Sequence, residues 1–76
     1  MKAYLVVSVS SGKARDVARV ISELPGVTMA DACWGVGDVF AVLEFAGWED
    51  LNKLVLEKVY HTPGVTHTET HVAIQE

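Results

Sequence analysis

Three residues near the C-terminus carry the densest chemistry in the chain: His67, Glu69 and His71, alternating with Thr66, Thr68 and Thr70. Period-two spacing sets all three on one face of a strand. Successive members of such a row stand about 6.5–7 Å apart, so two of them could share a zinc or copper ion with ligands from elsewhere, whereas three on one straight strand would be strained. His61 falls at a helix end and adds no ligand. The expected reading is a polar, solvent-facing strand side with no metal and no cofactor.

Catalytic groups are fewer still. Tyr4, Tyr60 and His61 are the only residues of the kind that small monooxygenases and isomerases set on an apolar pocket wall, and no nucleophile stands next to a base. Cys33 is a lone cysteine on a strand, where a buried, inert thiol is the commoner case. The chain is not expected to be an enzyme; a small dimeric enzyme of the monooxygenase or isomerase type is the alternative reading.

The elements that position these residues follow from a short central stretch, Cys33-Trp34-Gly35-Val36-Gly37-Asp38-Val39-Phe40. Glycine supplies the positive φ angles of a tight strand reversal and aspartate tolerates turn positions, so Gly35 to Asp38 reads as a hairpin. The hairpin is also the seam of a duplication. Pro25-Gly26-Val27-Thr28 recurs as Pro63-Gly64-Val65-Thr66, an offset of 38 (63 minus 25), and the same offset lays Ala3-Tyr4-Leu5-Val6-Val7 over Ala41-Val42-Leu43-Glu44-Phe45. Two β-α-β halves related by a pseudo-twofold are implied.

In chain order, Ala3 to Val9 reads as a strand, apolar in part on both faces. Ser10 or Ser11 is expected to cap the helix that follows, whose residues Ala14, Val17, Ala18, Ile21 and Leu24 form one buried face. Pro25-Gly26 stops it. Strands over 27–34 and 39–45 flank the hairpin, and a second helix runs from Glu49 to about His61 with Trp48, Leu51, Leu54, Val55, Lys58 and Val59 along one side. Acidic residues at its start and Lys58 and His61 near its end suit the helix dipole. Trp48 is expected to staple that helix to the sheet, and Trp34 to be an interface or core aromatic rather than a ligand-stacking one. Pro63-Gly64 ends the helix, and 65–74 is the last strand.

The order β-α-β-β-α-β predicts an α+β, ferredoxin-like fold: a four-stranded antiparallel sheet with both helices on one face. Tyr4, Val6, Phe40 and Val42 alternate onto the other face, and an apolar patch of that kind marks a contact surface. Size points the same way. The 76 residues are half apolar, 21% charged and carry a formal charge of −4, which describes one small domain over 1–76. A core this small supplies only about 3–5 kcal/mol, and a single cysteine makes no internal disulfide, so packing of a second copy, sheet to sheet or edge to edge, is the expected support.

With 6 basic against 10 acidic residues and no basic run, direct nucleic-acid contact is not expected. No apolar segment is long enough for a membrane span and Met1-Lys2 leads straight into a strand, so a cytoplasmic, membrane-free location is expected.

Pro-Gly-Val after each helix, a Gly-x-x-Asp hairpin at Gly35 to Asp38, and a closing strand Thr68-Glu69-Thr70-His71-Val72-Ala73-Ile74 together resemble the effector-binding domain of the Lrp/AsnC regulators, also called feast/famine regulatory proteins. The resemblance covers essentially the whole chain, and the order and spacing of the motifs carry it. It implies a domain for effector binding and oligomerisation that takes an amino acid or related small metabolite between subunits and assembles into dimers and then rings of dimers, octamers or decamers. Full regulators of this kind carry a DNA-binding helix-turn-helix ahead of the domain. The chain is expected to be the stand-alone form, acting on transcription indirectly, with a full-length regulator of the same family as a partner. A purely structural assembly module is the further alternative.

Carried over by position, Gly35, Val36, Gly37 and Asp38 match the family loop that lines the effector site, Trp34 just before them is kept as a site candidate, and Thr68 and Thr70 match a second position near it. Bare glycine backbone can present N–H and C=O groups to a ligand's carboxylate and ammonium, and Asp38 can pair with the ammonium. The chain departs from the family pattern at Trp34, where Thr or Ser is usual, and at Gly37, where an aromatic residue is usual.

Overall fold

Alternating apolar residues on the first and third strands, Leu5 and Val7 against Ala41 and Leu43, pull the two into the centre of one sheet, where these side chains are buried to within 2% of full burial. The computed structural model describes residues 1–35 and 37–74. Strand β1 (Lys2–Val9) leads to helix α1 (Ala14–Ser22), strand β2 (Val27–Ala32), strand β3 (Val39–Glu44), helix α2 (48–59), and strand β4 (Val65–Val72). The sheet order is β2-β3-β1-β4, and every neighbouring pair is antiparallel. This is the ferredoxin-like arrangement expected from the sequence.

The duplication is visible in the central ladder. Tyr4 pairs with Val42, its own counterpart at the offset of 38 (42 minus 4), and the couples Ala3–Leu43 and Leu5–Ala41 fall symmetrically about that pair. The pseudo-twofold therefore passes through the Tyr4–Val42 pair. One face of the sheet and the helices enclose the core, with Val17, Ala18 and Ile21 from α1 and Leu51, Leu54, Val55 and Val59 from α2.

Several local expectations are corrected. No side-chain hydrogen bond caps α1, whose N-cap is Lys13. Gly12, at φ +80°, turns the chain between the serines and the helix. The Ser10 carbonyl instead accepts the Lys13 N–H at 3.0 Å, and its hydroxyl reaches the Gly64 carbonyl at 3.4 Å. Strand β2 ends at Ala32, short of Trp34, and one further hydrogen bond, from the Cys33 N–H to the Asp38 carbonyl, closes the hairpin. Trp34 is fully exposed, which rules out a place in this subunit's core, and Cys33 is half-buried rather than sealed.

The second helix also differs. It is α-helical over Trp48–Asn52 and a π-helix over Lys53–Val59. The Tyr60 N–H bonds to the Val55 carbonyl at 3.0 Å, an i→i+5 closure. In a continuous α-helix Lys58 would lie on the stripe of Leu51, Leu54 and Val55. The wider turn puts Val59 in the buried place and leaves Lys58 exposed. Trp48 is more than half exposed and reaches the core edge through its ring, 6.3 Å from that of Phe45 and tilted by 52°.

Candidate functional site

One hydrogen bond closes the hairpin between β2 and β3, and two more fasten it to β1. The Cys33 N–H donates to the Asp38 carbonyl at 2.7 Å, the Asp38 N–H donates to the Val7 carbonyl at 2.9 Å, and the Val9 N–H donates to Asp38 Oδ2 at 2.9 Å. The carboxylate thus prolongs the β1–β3 ladder past its last residue pair. Gly37, at φ +85°, lies so close to β1 that a Cβ there would stand 2.5 Å from Val6 Cγ1. Only glycine fits. A shallow groove of about 220 Å³ runs beside the tip, lined by Ala14, Arg15, Ala32, Cys33 and Trp34.

Of the site candidates named from the sequence, Trp34, Gly35, Gly37 and Asp38 therefore sit together at the tip, and Val36 lies outside the described residues. Asp38 already holds a backbone N–H. Thr68 and Thr70 are elsewhere: they pair with Val7 and Leu5 on the edge strand β4, and so share the helix-covered face, with Thr68 buried and Thr70 exposed. Strand β1 separates them from β3, and neither cleft described in this section includes them. Arg15, an exposed residue of α1, lines the same groove as Trp34. Its position beside Trp34 depends on a contact between residues far apart in the chain, which spacing cannot reveal.

On the open face the rows read Met29–Val42–Tyr4–His71 and Asp31–Phe40–Val6–Glu69 across β2, β3, β1 and β4. Tyr4, Met29 and Phe40 are 44%, 47% and 42% exposed, large for apolar side chains on a soluble face. His67, Glu69 and His71 border this patch on β4, with His71 Nε2 at 3.4 Å from Glu69 Oε1. Among the described residues no three His, Cys, Asp or Glu side chains converge as a metal site requires. Tyr4 stands on the open face, whereas Tyr60 and His61 follow α2, so these three do not meet.

A larger cleft, of about 380 Å³, opens at the other end of the sheet. Pro25, Gly26, Phe45 and Leu54 supply its apolar lining, and Glu44, Asp50, Lys53 and Lys58 stand around it. Nothing in the sequence reading pointed here.

Residues 2–76 match the family model described as the Lrp/AsnC ligand binding domain. The chain belongs to that family. An uncharacterised helix-turn-helix-type transcriptional regulator of Pyrococcus abyssi is 26% identical to this Lrp/AsnC domain over 70 residues, 92% of the chain but 44% of the relative. The chain thus spans less than half the length of the curated relative it matches. Among solved structures, a hypothetical protein from Pyrococcus horikoshii superposes with a TM-score of 0.90 at 28% identity, covering 99% of this chain and 90% of that one. A transcriptional regulator of Neisseria meningitidis, solved in complex with L-methionine, shares the fold with a TM-score of 0.85 at 22% identity, over 99% of this chain and 50% of that one.

Proposed function

We propose that this Lrp/AsnC domain binds an amino acid or a related small metabolite at an interface between subunits and acts on transcription through its assembly state, with a full-length regulator of the family as partner and no direct contact to nucleic acid. The observation that carries the reading is the open sheet face of a family member. Tyr4, Val6, Met29, Phe40 and Val42 form an apolar patch that no helix of its own subunit covers. Packing two such faces buries the patch and makes up for a small core.

The ligand site proposed comprises Trp34, Gly35, Val36, Gly37 and Asp38 at the hairpin tip, with Thr68 and Thr70 contributed across a subunit boundary. The separation of the threonines from the tip within one subunit favours a site completed by a neighbour. Support for an amino-acid ligand comes from the L-methionine complex of the Neisseria regulator. The setting is the cytoplasm; among the described residues no helix is long and apolar enough to cross a membrane.

The experiment pairs light scattering with a thermal-shift screen of the twenty amino acids. A dimer or a ring of dimers is expected, and a ligand at 100 times its Kd adds about 2.7 kcal/mol, roughly 10–20 °C in a domain of this size. A persistent monomer with no shift for any amino acid would sink the reading.

A further inference from the structure

We infer that the cleft between the Pro25-Gly26 turn and α2 is a second ligand site, formed within a single subunit, for a small zwitterion with an apolar body such as an aliphatic α-amino acid. It does not depend on the interface site proposed at the hairpin, which lies at the opposite end of the sheet.

The size is right: about 380 Å³ lies within the roughly 300–1,000 Å³ of small-molecule sites. Phe45 and Leu54 are nearly buried and, with Pro25, give an apolar lining, while Asp50 and Glu44 offer two carboxylates and Lys53 and Lys58 two ammonium groups. The ion pairs found among the described residues, Arg19–Glu23 and Glu69–His71, join none of these four. A ligand that carries both an ammonium and a carboxylate, with an aliphatic chain behind them, complements that lining chemically. An anion alone would leave the two acids facing it, and a cation alone the two lysines.

The winding of α2 is the independent observation. Residues five apart on an α-helix diverge by about 140°, because each residue advances about 100°. A π turn closes i→i+5 and brings such residues back toward one side. Lys53 and Lys58 are five apart, both lie in the π segment, and both line the cleft. The π winding thus takes Lys58 off the buried stripe and sets it beside Lys53. π turns are rare and are found frequently at functional sites.

The test uses ¹⁵N-labelled protein titrated with L-leucine and, in parallel, with 4-methyl-2-oxopentanoate, which lacks the ammonium. Saturable amide shifts are expected at 44–46 and 50–58 with L-leucine, and at least tenfold weaker binding of the oxo acid. Lys53→Met with Lys58→Met is expected to weaken L-leucine at least tenfold, while light scattering shows an unchanged assembly; Asp50→Asn is expected to erase the preference for L-leucine over the oxo acid. Shifts confined to 33–38 would overturn the cleft site while leaving the hairpin site standing. Equal binding of the two probes, or unchanged affinity in the double lysine variant, would also overturn it.

Discussion

The two halves of the molecule use one motif to different ends. Gly26 and Gly64, at φ +94° and +99°, each pack against the helix of the opposite half: Gly26 faces Leu54 Cδ2, and Gly64 faces Lys13 Cβ and Val17 Cγ2. The carbonyl of each accepts a backbone N–H, from Glu44 at the end of β3 at 2.7 Å and from Ser10 just past β1 at 2.8 Å. Yet one turn borders the 380 Å³ cleft, and neither Gly64 nor its helix contacts line either cleft. The difference lies in where each helix begins. At the offset of 38, Ala14 corresponds to position 52, but α2 starts at Trp48, four residues sooner (52 minus 48). The outer strands follow suit. Val27 pairs with Leu43, whose counterpart is Leu5 (43 minus 38), while Val65 pairs with Val9, four residues further along (9 minus 5). In the second half the helix starts sooner and the outer strand pairs in a shifted register, and the larger cleft lies beside that helix.

That contrast can be broken by mutation. The largest effect is expected from Ile21→Ala on α1, whose side chain is fully buried and lines neither cleft: a loss of about 4 kcal/mol, against about 2 kcal/mol for Leu54→Ala beside the cleft, both read from urea midpoints. Equal losses would mean that the two helices are packed alike. Next come Gly26→Ala and Gly64→Ala, each expected to cost about 1–2 kcal/mol from left-handed strain alone, before any contact is crowded. A loss at one turn and none at the other would show that the turns are not mechanical equivalents.

Smaller effects test the hairpin and the π segment. Asp38→Ala removes the acceptor of the Val9 N–H and is expected to cost about 1 kcal/mol, with Asp38→Asn retaining most of the stability. If the alanine variant matches the native midpoint, the carboxylate is not holding the tip to β1. Lys58→Leu separates the two windings most cleanly. On a continuous α-helix it would extend the apolar stripe and stabilise the protein; on the observed π turn it is expected to change stability by less than about 0.5 kcal/mol.

Much of the fold could be read from residue order. Periodicity marked every element, the Pro-Gly pairs marked both helix ends, and the repeat at a constant offset implied two halves related by a pseudo-twofold, which the pairing of Tyr4 with Val42 makes visible. The open face was legible too, since alternation on β1 and β3 sends Tyr4, Val6, Phe40 and Val42 to the side away from the helices. Local misreadings share one cause. The serines before α1, Trp34 at the strand end and Lys58 on the buried stripe were each assigned from neighbours in sequence. Gly12, the Cys33–Asp38 bond and the π turn reassign them through geometry that composition does not encode.

The sequence by itself determined the βαββαβ order and the identity of the exposed apolar row, because these depend on local propensity and on periods of two and about 3.6 residues; the order and spacing of its motifs carried the family resemblance, and their repeat at one offset the duplication. Tertiary structure alone decided that Asp38 ties the hairpin to β1, that Thr68 and Thr70 stand apart from it, and that two lysines flank a cleft. Those outcomes depend on how strands slide past one another and on how tightly one helix is wound, and both are settled by packing between residues distant in the chain.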